Sequence, residues 1–131
     1  MKNQYLINSC FIVFAFLLGV FLLLKDSENT SVIKYIKING ESVKVELALD
    51  KETQELGLSG RERLEEGTGM LFVFPNSGRY YFWMKAMNFS IDMIWINEQK
   101  EIIYIKHNAS PEEFLETYGP ELDSKYVFEV N

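Results

Sequence analysis

Residues 5–24, YLINSCFIVFAFLLGVFLLL, carry no charge and are almost wholly apolar. A run of about twenty such residues matches one helical crossing of a bilayer. It divides the chain, because a water-soluble core then has to be built from the residues after it. The whole chain has 131 residues, so the remainder suffices for one domain and not for two.

A cleaved signal peptide has a shorter apolar region followed by small residues at its cleavage site. Here the run ends Leu22-Leu23-Leu24-Lys25 without such a site. An uncleaved signal anchor over residues 1–25 is therefore expected, with 26–31 as a polar linker and 32–131 as the domain. Cys10 lies near the start of the run, whereas a lipid-bearing cysteine would come after it. Lys2 and the amino terminus precede the run, and basic residues favour the cytoplasmic side. The expected location is a single-pass membrane protein whose domain lies outside the cytoplasm, in the periplasm or at the cell surface.

The domain is acidic. The chain carries 13 basic and 19 acidic residues, and two of the basic ones, Lys2 and Lys25, flank the apolar run. A nucleic-acid partner would require a basic stripe for phosphates, and none is visible. Cys10 is the only cysteine. An intrachain disulfide, a CxxC redox pair and a cysteine zinc site are all excluded.

Short apolar segments separated by turn signals point to strands. VIKYIKI (32–38) and SVKVELAL (42–49) flank Asn39-Gly40, a hairpin cue because both residues tolerate positive φ. Val43, Val45, Leu47 and Leu49 alternate with Lys44 and Glu46, as in a half-buried strand. Asp50 can cap a short helix, KETQELG, ended by Gly57. Residues 58–69 read as a polar loop. MLFVFP (70–75), apolar on both faces, reads as a central strand closed by Pro75. Further strands are expected at 80–85, 91–96, 101–107 and 125–130. Ser110, Pro111 and Glu113 form a helix-start pattern, so SPEEFLETYG is expected to be a short helix or a structured loop. These signals predict a mainly β domain, a small antiparallel barrel or sandwich with one or two short helices, preceded by one transmembrane helix.

Several ordered motifs carry a resemblance: Gly57-Leu58, Arg61, Gly69-Met70-Leu71-Phe72-Val73-Phe74-Pro75, Phe82-Trp83-Met84-Lys85, Asp92 and the terminal KYVFEVN. In this order they resemble the DUF192 family, a domain of unknown function, over roughly residues 34–131. Ala86 and Ile91 depart from the family pattern, which has Asn and Leu there. The pattern also continues past Val-Asn with a turn, a short helix and a strand, whereas this sequence stops at Asn131. The resemblance implies a compact β domain, often behind a signal peptide or membrane anchor in prokaryotes, with an edge or gap where a barrel would close. It implies no established activity.

The densest stretch is RYYFWMKAMNFSIDMIWIN (79–97). Its aromatics read mainly as core, with Tyr81 and Trp83 the better candidates for a pocket wall that could stack a ring. Lys85 and Asp92 bracket the loop between two apolar strands, and buried charges are tolerated mainly when paired. They read either as a structural ion network or as a polar pocket shared with Arg61 or Arg79. The candidate ligand site is Arg61, Trp83, Lys85, Asn88 and Asp92. The expected function is binding of a small polar ligand or another envelope protein. Two alternatives remain open. One is a hydrolase with Asp92 as acid or base, although no nucleophile-base-orienter set is apparent. The other is a copper accessory protein using Met70, Met84, Met87 or Met93 with His107, since thioethers select Cu(I). The sequence names no cofactor and no ligand.

Overall fold

The computed structural model describes residues 32–38 and 40–131. The expected anchor (1–25) and linker (26–31) lie outside the described residues, as does Asn39 of the hairpin. Among the described residues no helix is long and apolar enough to cross a membrane.

The first two strands pair as the alternation predicts. β1 (Val32–Ile38) and β2 (Glu41–Ala48) form an antiparallel hairpin, with Ile38 opposite Glu41. Gly40 takes φ +88°, which the turn requires. Asp50 then caps α1 (Lys51–Leu56), its carboxylate accepting from the Thr53 amide at 2.9 Å. Gly57 ends the helix at φ +52°.

After α1 the chain returns to the sheet as β3 (Thr68–Gly78), which runs parallel to β2. The remaining strands are β4 (Ile91–Ile96), β5 (Ile102–Ala109) and β6 (Ser124–Val130). Their order across the single sheet is β1-β2-β3-β6-β4-β5, with every pair except β2–β3 antiparallel. The domain is mainly β, as expected, but the sheet is mixed rather than purely antiparallel. The reason is the length of the β2–β3 connection, which includes α1 and a loop. A hairpin cannot join parallel neighbours, whereas a crossover with a helix can.

The expected barrel is not closed: no ladder joins β1 to β5. The sheet is nevertheless curled. Ile36 and Ile38 of β1 and Ile94 and Ile96 of β4 line one concavity of about 530 Å³, floored by Leu71 and Phe128. This trough is what remains of the barrel reading.

Two further expectations change. Residues 80–85 do not enter the sheet. Only Phe82 forms an isolated bridge, exchanging backbone hydrogen bonds with Tyr118 at 2.8 Å each way. Trp95 Nε1 donates to the Tyr80 carbonyl at 2.7 Å, and the Tyr80 ring stacks on Phe74. The aromatic run thus lies across the sheet as a second layer. Next, β3 continues past Pro75 to Gly78, with its register against β6 shifting between Val73 and Gly78. Proline is accommodated at such an irregularity, and Lys125 Nζ caps its carbonyl at 2.7 Å. SPEEFLETYG takes the second of its two expected forms, a structured loop that opens on a 3-10 turn, Pro111–Glu113, with the Ser110 and Glu113 capping box present. The Tyr118–Phe82 bridge pulls the chain out of any helix.

The register divides the sheet into two faces. Ala48, Phe72, Val127 and Trp95 form one cross-strand row on the layered face. All four are essentially fully buried. The next row runs Glu46, Met70, Glu129, Met93. Two carboxylates therefore point toward the face that carries the main apolar cluster. Gly69 lets strands β3 and β6 meet closely, since a Cβ there would lie 2.6 Å from the Glu129 carbonyl and collide with the Phe128 ring.

Candidate binding cleft

Glu129 sits in the middle of the sheet, between Met70 and Met93, and is only 5% exposed. Its Oε2 is the one buried side-chain polar atom without a hydrogen-bond partner among the described residues. Buried polar groups are nearly always bonded, so an orphaned carboxyl oxygen calls for an explanation. Burial pushes the Glu129 carboxyl up to about 8, and the nearby Arg61 charge offsets only part of that effect. The group is therefore protonated in the resting domain at neutral pH.

The carboxyl lies at the wall of a cleft of about 540 Å³. α1 and the residues after it form one side, through Gln54, Gly57 and Ser59. β3 supplies Phe72 and Phe74, and the crossing segment supplies Tyr80, Tyr81, Phe82 and Trp83. A Cβ added at Gly57 would come within 4.0 Å of Glu129 Oε2. Phe82 meets Phe72 and Trp95 edge-on, with centroids at 4.9 and 5.8 Å, which fixes the floor. Tyr81 and Trp83 are about half exposed and form the outer wall.

The other candidate residues frame this cleft rather than fill it. Arg61 donates twice to Glu46, at 2.7 and 2.8 Å, and that bond holds its guanidinium above its ordinary pKa. Ser59 Oγ donates to the Lys85 carbonyl at 3.0 Å, and Asn88 Nδ2 to the Arg61 carbonyl at 2.8 Å. The Gly60 amide donates to Ala86, which adopts φ +57°. Three hydrogen bonds thus stitch residues 59–61 to the 85–88 turn, and Ser59 and Met87 next to that stitch both line the cleft. Lys85 Nζ sits 5.0 Å from the Trp83 ring centroid. It does not line the cleft.

Asp92 lies elsewhere, on the opposite face in register with Val130. Its carboxylate accepts from the Asn108 amide and meets His107 Nδ1, both at 2.8 Å. Partial burial pushes Asp92 up, but these two partners outweigh it and hold the group below its usual value. That is the setting of a structural carboxylate, not of an acid that gives up a proton near neutrality. Arg79 pairs with Glu121 at the surface. Met70, Met84 and Met93 are buried in the apolar core. No group of three His, Cys, Asp or Glu side chains able to hold a metal occurs among the described residues.

Sequence reasoning passed over Glu129. A signal was present: in YVFEV an acid interrupts a strand otherwise apolar on both faces, so wherever that strand is central the acid is buried.

Known proteins place this fold without assigning it a task. A Sinorhizobium meliloti 1021 crystal structure, described as a candidate transcription regulator, is 31% identical, with a TM-score of 0.66 over 76% of this chain and 78% of that one. A protein of unknown function from Novosphingobium aromaticivorans DSM 12444 shares the fold at 23% identity and a TM-score of 0.67, over 77% of this chain and 73% of that one. No curated protein matches the chain. The family model described as "Uncharacterized ACR" matches residues 34–131, so this chain belongs to the DUF192 family.

Proposed function

We propose that the domain is a small-ligand binding module and that its site is the aromatic cleft beside Glu129. One observation carries the reading: a buried carboxyl with an unpartnered oxygen faces an open cleft walled by aromatic rings. Concave, mostly apolar sites with a few convergent polar groups are where small ligands bind, and a strongly perturbed group within one strengthens the assignment. A ligand that bonds Glu129 relieves an unmet interaction without disturbing the frame built by Arg61, Lys85 and Asn88.

Hydrolysis is the weaker reading. It needs a second placed carboxylate or a nucleophile. The other acid on the cleft, Glu55, is largely exposed and pairs with Lys51 along α1. Nucleic acid is weaker still, because the net charge of −6 repels phosphates. The reading keeps the apolar run 5–24 as a membrane anchor, with the domain outside the cytoplasm.

Two experiments test it. The two tryptophans report separately, since Trp83 borders the cleft while Trp95 is buried. A small-molecule collection is screened by fluorescence and by thermal shift, since a ligand that binds the folded state raises Tm with the logarithm of its concentration above Kd. Compounds that raise Tm and lose their effect in Glu129→Gln support the cleft; hits unaffected by both Glu129→Gln and Trp83→Ala refute it. For topology, alkaline phosphatase fused after Asn131 should be active. An inactive fusion alongside an active β-galactosidase fusion would overturn the extracytoplasmic placement.

A further inference from the structure

The polar groups that line the cleft are mostly spent. Gln54 Nε2 donates to the Ala48 and Val73 carbonyls at 3.1 and 3.0 Å. Ser59 Oγ donates to Lys85, Tyr80 Oη to the Asn76 carbonyl and Tyr81 Oη to Glu121. Lys51 and Glu55 face each other at the rim. The donors are therefore mostly used, and what remains for a ligand is a set of aromatic faces, one carboxyl and acceptor oxygens such as Gln54 Oε1. A sugar, whose hydroxyls also need donors, would find few here. An alkylated ammonium group asks for no hydrogen bonds. It is held by ring quadrupoles and a countercharge, which are the two things the cleft offers.

We propose that the cleft binds a small organic cation of the alkylammonium class, its charged nitrogen set against the Glu129 carboxylate and walled by Tyr81, Phe82 and Trp83. This rests on the reading of the cleft as a binding site. The Trp83 ring already carries one cation on a face, Lys85 Nζ at 5.0 Å, and Lys85 does not line the cleft.

The charge balance is specific. Glu129 rests protonated, so a cation binds with release of its proton to solvent. The site then holds a carboxylate and an ammonium instead of a neutral acid. The charged groups around Glu129 are few. Arg61, on the loop after α1, pairs with Glu46, and its charge still offsets part of the effect of burial on Glu129. Lys51 and Glu55 of α1 pair at the rim. The crossing segment contributes the phenols of Tyr80 and Tyr81 and the Lys85 ammonium, 5.0 Å from the Trp83 ring centroid, and the flanking strand positions are Met70 and Met93. Affinity for a cation therefore rises with pH until Glu129 ionises unaided. A neutral ligand accepting a bond from the protonated acid would show the opposite trend.

The test uses the full chain with choline and tetramethylammonium as probes and 3,3-dimethylbutan-1-ol as the uncharged analogue of choline. Binding is followed by Trp83 fluorescence and by calorimetry in buffers of different ionisation heat. The expected result is at least about tenfold preference for choline over the alcohol. Affinity should also rise by up to about fiftyfold from pH 6 to pH 8, with a proton released. Glu129→Gln should lose that preference. Trp83→Ala, at an exposed position, should weaken choline without altering stability. Equal binding of choline and the alcohol would overturn the cationic assignment while leaving the cleft as a site. No response to either, with no hit in the wider screen, would overturn both.

Discussion

Replacing Glu129 with Gln should stabilise the domain at neutral pH, and by an amount that grows with pH. The sign comes from linkage. An acid whose folded-state pKa is raised binds its proton more tightly when folded, so stability is unaffected below the unfolded value and falls as pH rises toward the folded one. For Glu129 the window runs from 4.5 to about 8. One pKa unit corresponds to about 1.4 kcal/mol. At pH 7 the wild-type cost is then on the order of 3 kcal/mol, and at pH 8 on the order of 4 kcal/mol. Glutamine has nearly the same shape and no charge to desolvate, so it removes this cost. Urea unfolding of both proteins at pH 5 and pH 8 measures it. The two should differ by less than about 1 kcal/mol at pH 5, with the variant more stable by about 4 kcal/mol at pH 8. A variant that is less stable at pH 8, or a difference independent of pH, would refute the reasoning, because either result means the carboxyl is satisfied and charged in the fold.

The neighbouring groups yield further expectations. Arg61→Met removes both bonds to Glu46 and should cost about 1–3 kcal/mol, while moving the Glu129 titration upward by NMR because the Arg61 charge opposes protonation; no movement would mean the two groups do not interact. Asp92→Asn should cost no more than about 1 kcal/mol at pH 7 and leave Trp83 fluorescence responses intact. Because Asp92 is held below its usual value, its contribution is present above the unfolded pKa and lost as pH falls below about 4, so the mutant's deficit should shrink in acid. Tyr118→Phe deletes the hydroxyl that donates to Glu113 at 2.6 Å; a loss of about 1 kcal/mol in chemical denaturation is expected, and none would show that the bond is replaced by water.

Much of the fold was legible where local signals and tertiary packing agree. The Asn39-Gly40 cue, the alternation of β2 and the Asp50 cap all correspond to observed elements. The aromatic run at 80–85 misled because residues suited to a strand equally suit a layer packed over one. Only the Trp95 and Tyr118 hydrogen bonds, from distant parts of the chain, decide between these. Pro75 read as a stop, yet a register irregularity let β3 continue. Tyr81 and Trp83 were legible as a pocket wall by chemical type. Arg61, Lys85 and Asn88 were legible as polar residues near that wall, but not as its scaffold, since two of them act through backbone carbonyls that no side-chain pattern reveals. Glu129 escaped because its burial depends on the position of β6 within the sheet, which is a property of topology.

That position also sets an order of events. β6 is the sixth strand in sequence but lies between β3 and β4. Until residues 124–130 are made, β3 and β4 share no neighbour, and the row containing Phe72 and Trp95 lacks its link, Val127. Five strands alone form two separate fragments, each with an open inner edge. A growing chain thus has no stable half-domain to fall into, and folding waits for the strand that carries Glu129. The same insertion joins the two fragments and delivers the carboxyl, so completion of the sheet and of the cleft is one event.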